Sequence, residues 1–168
     1  MLHPDLRIRT AIAADTDRLI PLINEAFAVE TFMTGPRTDP ERLAASMQKG
    51  AILLAEDESG QFVASIYVEV RGDRGYAGML AVSPARQRSG IGRHMMQTAE
   101  DCLRACGCVA LDITVLSLRT ELPPIYRAYG FVETGTERFE YPHPLKDGLE
   151  THCIVMSKPL APGAVDGC

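Results

Sequence analysis

The sequence has no apolar run long enough to cross a lipid bilayer, and no apolar stretch follows its first methionine. A membrane-spanning helix needs about 20 apolar residues and a secretion signal needs an apolar segment of roughly 7–15. These absences favour a soluble, cytoplasmic protein that is not associated with a membrane. Internal repeats, low-complexity segments and linkers are also missing, so the 168 residues predict a single domain with an ordered core over roughly 6–160.

Basic residues are too few to favour nucleic acid as the main partner. The chain has 17 Lys and Arg against 22 Asp and Glu, a net charge of −5, whereas a phosphate backbone requires a basic face. The arginines are unevenly spread, however, because Arg86, Arg88 and Arg93 lie close together. A local basic site on an acidic protein is typical of binding to a small polyanion.

The five cysteines lack a histidine at metal-ligand spacing. Cys102, Cys106 and Cys108 form a cluster, but the first two lie one helical turn apart, at positions where a helix needs small apolar side chains. An odd number of cysteines without a secretion signal is typical of reduced thiols in the cytoplasm. We therefore predict no metal site.

The hydrophobic periodicity predicts one α/β (α+β) domain with a mixed, mostly antiparallel sheet of six to seven strands and flanking helices. Three consecutive strands with short connections form an antiparallel meander. A long helix then makes the following strand parallel to the third meander strand. Strands are predicted at Leu6–Arg9, Ala51–Glu56, Phe62–Val70, Gly75–Val82, Val109–Val115, Phe131–Thr136 and Cys153–Lys158. Helices are predicted around Leu19–Phe27 and at Glu41–Lys49, Gly90–Cys106 and Pro124–Tyr129.

The third meander strand is expected to alternate regularly. The pattern puts one set of side chains on each face of the sheet. The two sets are Tyr76, Gly78, Leu80 and Val82 against Ala77, Met79 and Ala81.

The most informative segment joins this strand to the long helix. Pro84 ends the strand, and the helix begins near Gly90. The first N–H groups of a helix have no intrahelical acceptor and add to the positive end of the helix dipole, which favours an anion. Gly90 and Gly92 lack side chains, so a pyrophosphate can approach the main chain closely. Arg88 and Arg93 would supply positive charge at the rim.

Two other phosphate-binding motifs fit this segment less well. A P-loop ends in Gly-Lys-Ser/Thr, but here Gly92 is followed by Arg93 and His94. A dinucleotide fingerprint needs a third glycine where Met95 stands, although Asp112 lies near the spacing of its ribose-binding acid. Because Asp112 lies inside its strand and no further strand–helix units follow, this interpretation is also disfavoured.

The segment resembles motif A of the GNAT superfamily of N-acetyltransferases. The family signature is a strand that ends Val-x-Pro, followed by Gln/Arg-x-x-Gly-x-Gly/Ala at the start of a helix. It stands here as Val82-Ser83-Pro84 and Gln87-Arg88-Ser89-Gly90-Ile91-Gly92. The element order also agrees from Leu6 to Lys158. The resemblance implies one N-acetyltransferase domain over residues 1–168, with a central parallel strand pair that splays apart.

The same resemblance implies acetyl-CoA as the co-substrate. Residues 88–93 would hold its pyrophosphate, and the main chain of the third meander strand would pair with the pantetheine arm as an added pseudo-strand. The residues implied in cofactor binding are Leu80, Ala81, Val82, Gln87, Arg88, Ser89, Gly90, Ile91, Gly92 and Arg93.

A second family signature, Asn-x-x-Ala-x-x-Leu-Tyr-x-x-x-Gly-Phe, is matched in part. Tyr126, Gly130 and Phe131 agree with it, whereas Arg119 stands where Asn is common, which leaves a cofactor contact at residue 119 open. The resemblance implies that Tyr126, with an ordinary tyrosine pKa of about 10, protonates a departing thiolate whose thiol pKa is about 8.5. The main-chain N–H near Leu80 would polarise the acetyl carbonyl.

The general base and the acceptor are less well defined. Glu69, late in the second meander strand, is the best placed carboxylate and would act through a water molecule. Glu25, Glu30 and Glu121 are alternatives as ligands of a cationic amine. The acceptor pocket is expected to come from three loops, Val29–Pro40, Arg71–Gly75 and Tyr141–Glu150.

The sequence is compatible with two functions. The first is transfer of an acetyl group to a primary amine of a small molecule or peptide, which Tyr126 favours. The alternative is a non-catalytic acetyl-CoA- or CoA-binding regulatory or sensor module, since a fold does not determine a function. The absence of Asn at position 119 mildly favours this alternative. Exposed edge strands are often paired, which leaves a homodimer open.

Overall fold

A computed structural model describes residues 3–162, and across this range seven strands form one sheet. The strands are β1 Arg7–Thr10, β2 Ala51–Glu56, β3 Phe62–Arg71, β4 Arg74–Val82, β5 Ala110–Leu116, β6 Val132–Arg138 and β7 His152–Pro159. Their order in the sheet is β1-β2-β3-β4-β5-β7-β6. All neighbouring strands are antiparallel except β4 and β5, which are parallel.

Helices cover both faces of this sheet. The α-helices of the described range are α1 Thr16–Ala26, α2 Pro40–Lys49, α3 Ile91–Ala105 and α4 Leu122–Ala128. One core lies between the sheet and α3 with α4, and includes Met95, Leu103, Leu111 and Met156. The other lies between the sheet and α1 with α2, and includes Leu19, Ile23, Leu43 and Leu54.

The predicted fold class and the mixed, mostly antiparallel sheet are confirmed. Each predicted element is present, with ends that differ by up to three residues. The long helix begins at Ile91 because Gly90 has a φ of +84°, a left-handed conformation that cannot continue a helix. The predicted helix Pro124–Tyr129 begins earlier, at Leu122, because a helix tolerates proline in its first turn.

The predicted alternation along β4 is wrong beyond Gly78. Tyr67 of β3 pairs with Gly78, but Ser65 pairs with Ala81, so two residues of β4 lie opposite one residue of β3. This is a β-bulge, and it includes Met79, whose φ of +47° lies in the left-handed region. A pattern of residue types does not indicate such an inserted residue.

The bulge reverses which face the following side chains occupy. Before it, Ala77 packs on the α3 face; after it, Leu80 and Val82 pack on that same face, and Ala81 packs on the α1 face. One extra residue in a strand of period two inverts the pattern. The apolar side chains of Leu80 and Val82 therefore lie on the side of the sheet where α3 begins.

The parallel pair separates soon after it forms. β4 and β5 are paired at three positions only, Arg74↔Ala110, Gly75↔Leu111 and Tyr76↔Asp112. Beyond these positions the two strands no longer pair with each other, although β5 stays paired with β7 as far as Leu116. The splayed central pair is confirmed, and it leaves a notch that opens towards the C-terminal ends of β4 and β5.

Asp15 joins the end of β1 to the start of α1. Its carboxylate accepts hydrogen bonds from the Arg9 guanidinium at 2.7 and 2.8 Å and from the main-chain N–H of Ile12 at 2.7 Å. Hydrogen bonding from Arg9, more than any other influence, holds the pKa of Asp15 below its ordinary value. The charged carboxylate therefore stabilises the fold.

We expect Asp15→Asn to lower the free energy of unfolding at neutral pH by about 1–3 kcal/mol, because hydrogen bonds to a charged group are lost. The folded pKa is lowered, so the contribution is complete above the unfolded pKa of about 3.9 and is lost as the pH falls below it. Chemical denaturation at several pH values should show the two proteins converging in acid. A difference independent of pH would contradict this, and Glu58→Gln, an exposed turn residue, is the control.

Candidate functional site

The first turn of α3 carries main-chain N–H groups without acceptors. No side chain caps this helix, and its first main-chain hydrogen bond joins His94 N to Gly90 O at 3.0 Å. The N–H groups of Ile91, Gly92 and Arg93 therefore have no acceptor within residues 3–162. The first turn also lacks an acidic residue, whereas α2 has both a capping carboxylate and a first-turn glutamate. Such a helix start attracts an anion.

The two glycines of the turn, Gly90 and Gly92, occupy their positions for different structural reasons. Gly90 has a φ of +84°, where any side chain would be strained. Gly92 has no such constraint, because a Cβ there would meet only Val82 Cγ2 at 3.7 Å and Leu80 Cδ2 at 3.9 Å, which are ordinary contacts. Gly92 lines the notch. The protein's own packing would therefore tolerate a side chain at position 92. The glycine instead leaves open space in the notch.

Three other predicted residues of the turn are engaged within the protein. The Gln87 amide donates to Val82 O at 3.1 Å, and Ser89 Oγ donates to Arg86 O at 2.5 Å. The Ile91 side chain is buried in the α3 core. These side chains build the turn, so a ligand would contact Ser89 and Ile91 mainly through the main chain.

The predicted arginines lie at the rim of the turn. Both are exposed. Arg88 lines the notch and has a φ of +60°, whereas Arg93 lies over the ring of Tyr129 at 5.4 Å. Arg88 is therefore the better placed of the two to meet an anion in the notch.

A cavity of about 510 Å³ lies between the separated strands, and we call it the notch cavity. It extends from Gly92 on α3 to Tyr126 on α4, and Leu80 and Val82 of β4 line it. Ala81, also predicted as a cofactor contact, has its side chain fully buried on the opposite face. Only the main chain of Ala81 is left to contact a ligand in the notch.

Tyr126 lines the notch cavity in a partly buried position. Its ring makes edge contacts with Tyr129 at 6.1 Å and Phe131 at 6.0 Å, and its hydroxyl has no hydrogen-bond partner within the described chain. Burial raises the pKa of Tyr126 to about 12. The residue is therefore protonated at neutral pH, with a hydroxyl free to bind a ligand.

Glu69 lies away from the notch cavity. Its carboxylate accepts a hydrogen bond from Tyr67 Oη at 2.7 Å and forms an ion pair with Arg71 at 3.1 Å. Hydrogen bonding from Arg71 lowers the pKa of Glu69 below its ordinary value, which makes the carboxylate a weaker base. The prediction that Glu69 is the general base stays a prediction, without support from this placement.

Glu30, like Glu121, lies in the wall of the notch cavity, and Glu30 is the more deeply buried of the two carboxylates. Its side chain is 3% exposed and is held between Arg37 at 3.1 Å and Arg119 at 2.9 Å. Arg119 also pairs with Glu121 at 2.6 Å. These four residues, which we call the charge network, connect the α1–α2 loop to the β5–α4 loop. Glu30 and Arg119 are 89 positions apart, a separation at which sequence gives no signal of contact.

Two of the three loops predicted for the acceptor pocket meet in space. The α1–α2 loop and the β6–β7 loop are joined by three hydrogen bonds, Lys146 N to Phe32 O, Thr34 Oγ1 to Pro144 O and Tyr141 Oη to Pro36 O. The third loop, Arg71–Gly75, lies at the paired end of β4 and β5 and does not line the notch cavity. Of the three loops predicted for the acceptor pocket, the first two are therefore neighbours in the structure, and the third lies apart from the notch cavity.

Metal-binding clusters and membrane-spanning helices are both absent from the described chain. Within residues 3–162, no group of three or more His, Cys, Asp or Glu side chains is arranged to hold a metal ion. No helix in that range has the length and apolar character needed to cross a membrane.

Residues 22–142 match the family model of the acetyltransferase (GNAT) domain. The match covers more than half of the 168 residues, so the protein belongs to the GNAT acetyltransferase family and is an acyltransferase. The resemblance seen in the sequence is confirmed. Acetyl-CoA is the co-substrate that fits this family.

Solved structures of GNAT acetyltransferases share the fold. The ribosomal-protein-S18-alanine N-acetyltransferase from Escherichia coli has a TM-score of 0.77 at 21% identity, over 97% of this chain and 99% of that chain. A phosphinothricin acetyltransferase from Sinorhizobium meliloti, solved in complex with AcCoA, has a TM-score of 0.73 at 19% identity, over 97% and 92% of the chains. At these identities the similarity establishes the fold.

We expect Gly92→Val to weaken CoA binding by about tenfold or more, because a side chain would fill the space beside the unpaired amides. Valine is no worse than glycine inside a helix, so the fold should be retained. Isothermal titration with CoA measures the effect. Gly135→Val, on exposed β6 with nothing near its Cβ, is the matched control. Equal affinity of both variants would contradict this role for Gly92.

We expect Glu30→Gln to lower the free energy of unfolding by about 1–3 kcal/mol, because two arginines lose their shared, buried counter-ion. The value is below that of a fully buried pair because both arginines keep some contact with water. Thermal or chemical denaturation measures it. Glu121→Gln, whose side chain is 57% exposed, should cost much less. Equal losses in the two variants would argue against Glu30 as the centre of the network.

Proposed function

We propose that this protein transfers the acetyl group of acetyl-CoA to a primary amine, with Tyr126 as the general acid. The observation that carries the proposal is that the uncapped start of α3 opens onto a notch beside an unpaired stretch of β4. A diphosphate linked to a chain of amides needs both features, an anion site and main-chain partners.

The diphosphate would lie against residues 88–93. The N–H groups of Ile91, Gly92 and Arg93 supply the donors, and the space beside Gly92 allows close approach. Arg88 adds charge from the rim. The local positive charge offsets the net charge of −5, which would otherwise repel a polyanion.

The pantetheine arm would extend along β4. Beyond Tyr76, the edge of β4 that faces β5 has no strand partner, so main-chain groups from Leu80 to Val82 are available to bind amides as an added strand would. The bulge also removes a residue near Leu80 from the β3 ladder. An N–H at this position would stabilise negative charge on the acetyl oxygen.

In the proposed reaction the amine nitrogen bonds to the acetyl carbon and the carbon–sulfur bond breaks. The sulfur leaves with the electron pair and gains a proton, the nitrogen loses one, and the products are an amide and a thiol. With a pKa of about 12, Tyr126 is protonated when the sulfur departs and donates a hydrogen bond to the developing negative charge. Burial between Tyr129 and Phe131 fixes the ring.

The acceptor amine must be neutral to attack. Both carboxylates that line the notch cavity, Glu30 and Glu121, are paired with Arg119, and Glu69 stays a candidate only through intervening water. An amine that arrives unprotonated needs no base before the attack. The names of the two structural neighbours refer to a ribosomal protein and a small molecule as acceptors, so an acceptor of either kind is compatible with the fold.

The alternative of a non-catalytic CoA-binding module loses its main support. That interpretation depends on Arg119 in place of the usual Asn. Arg119 has a structural role of its own in the charge network. Its presence in place of Asn is therefore no argument that the protein lacks catalytic activity. Cys106, Cys108 and Cys153 form no disulfide bond, which is in keeping with the proposed cytoplasmic location. A homodimer through an edge strand stays a prediction.

We expect Tyr126→Phe to lower kcat by about 10²–10⁴-fold, because the proton donor is removed. CoA affinity and stability should change little, since the hydroxyl has no hydrogen-bond partner within the described chain. Release of free CoA thiol at saturating amine measures kcat. Tyr129→Phe removes the hydroxyl of a neighbouring, partly buried tyrosine that also lines the notch cavity and is the matched control. An unchanged kcat in Tyr126→Phe would remove this residue from the mechanism.

A further inference from the structure

A second, smaller cavity lies beside the notch cavity. It measures about 200 Å³ and lies between α2 and the β6–β7 loop, and we call it the side cavity. The two cavities share Arg37 and the bulge residue Met79 in their walls. Because the proposed acetyl position is at this bulge, next to Leu80, a molecule in the side cavity would lie close to the reacting carbon.

The side cavity contains one cation that the described part of the chain does not neutralise. Arg42, on α2, is partly buried, and its guanidinium forms no ion pair or hydrogen bond within residues 3–162. The guanidinium lies over the ring of Tyr141, at 5.5 Å from the ring centre. Arg37, by contrast, is paired with Glu30. Arg42 is therefore the group of this cavity that is available to an anion.

One carboxylate also lines the side cavity. Glu140 is exposed and, among the described residues, forms no ion pair with Arg42. Water and salt screen an exposed charge strongly, so Glu140 does not neutralise the partly buried guanidinium. A guanidinium in this setting binds carboxylates and phosphates through two parallel hydrogen bonds.

The walls of the side cavity are held in place without a ligand. Tyr141 stacks on Phe139, with ring centres 5.7 Å apart, and its hydroxyl donates to Pro36 O. Thr38, from the α1–α2 loop, is 2% exposed and donates a hydrogen bond from its main-chain N–H to Asn24. The volume of about 200 Å³ is below the roughly 300–1,000 Å³ of sites for drug-sized ligands. The cavity therefore suits a small molecule.

We propose, on the basis of the acetyl-transfer function above, that the acceptor is a small amine that carries a carboxylate or a similar oxyanion. Arg42 binds the anion in the side cavity, and the amine points past Met79 to the notch. The sequence suggested only that carboxylates bind a cationic amine, and an anionic group on the acceptor is added by this proposal. It assigns Arg42 as a residue that determines specificity, with no part in the chemical step.

The test compares amino acids with their carboxamides as acceptors, by release of free CoA thiol. The amine of a carboxamide is less basic and is more often neutral, so intrinsic reactivity favours the carboxamide. We expect the protein to reverse this order, with kcat/KM about tenfold or more higher for the best amino acid than for its carboxamide. Arg42→Gln should raise KM for that amino acid by about 10- to 100-fold and leave kcat and the carboxamide unaffected.

Two controls accompany this comparison. Arg42→Lys keeps the charge without the paired donors and should recover part of the lost affinity. Arg7→Gln removes an exposed arginine on β1, far along the sheet from the side cavity, and should leave both substrates unchanged. This variant controls for the overall loss of one positive charge.

The outcomes separate the two proposals. Acetylation without preference for the carboxylate, an equal effect of Arg42→Gln on both substrates, or a stronger preference for a peptide with a free N-terminus would each overturn the inference and leave the proposed function intact. CoA binding without thiol release from any amine or peptide would overturn the proposed function, and the inference with it.

Discussion

The separation of two parallel strands is the constraint on which the rest of this structure depends. β4 and β5 pair at three positions and then part, and at the end of the pairing Tyr76 Oη lies 3.0 Å from Thr114 Oγ1, within hydrogen-bonding distance. Unpaired main-chain groups inside a sheet are costly unless another partner satisfies them. The separated strands therefore create a site that a molecule with its own amides can complete.

The two ends of the notch differ in their electrostatic character. At one end the uncapped start of α3 and Arg88 provide positive charge, where we propose that a diphosphate binds. At the other end the charge network joins two loops beside Tyr126. Its arginines and glutamates are paired with one another. Among the residues that line the two cavities, the unpaired positive charge lies at the start of α3 with Arg88 and at Arg42. We therefore expect an anionic group of a ligand at each of these two places and the reaction between them.

Local signals were the ones that sequence reasoning interpreted correctly. The turn from Val82 to Gly92 is contiguous, so its glycines, proline and arginines predict a strand, a turn and a helix start without knowledge of the fold. The bulge at Met79 has no such signal, and the alternation predicted across it was wrong. The prediction of Glu69 as the general base rests on its place along a strand, whereas the ion pair with Arg71 lowers the pKa of its carboxyl. The contact between Glu30 and Arg119 depends on the folded topology.

An NMR titration of the ¹⁵N-labelled protein with CoA tests most directly whether the notch and the start of α3 form one cofactor site. We expect the amide signals of Ile91, Gly92 and Arg93 to shift on addition of CoA, together with those of Leu80 to Val82 along the open edge of β4. Inorganic pyrophosphate should shift the helix signals alone and compete with CoA. Shifts confined to other parts of the chain, with the α3 amides unaffected, would contradict this assignment of the site.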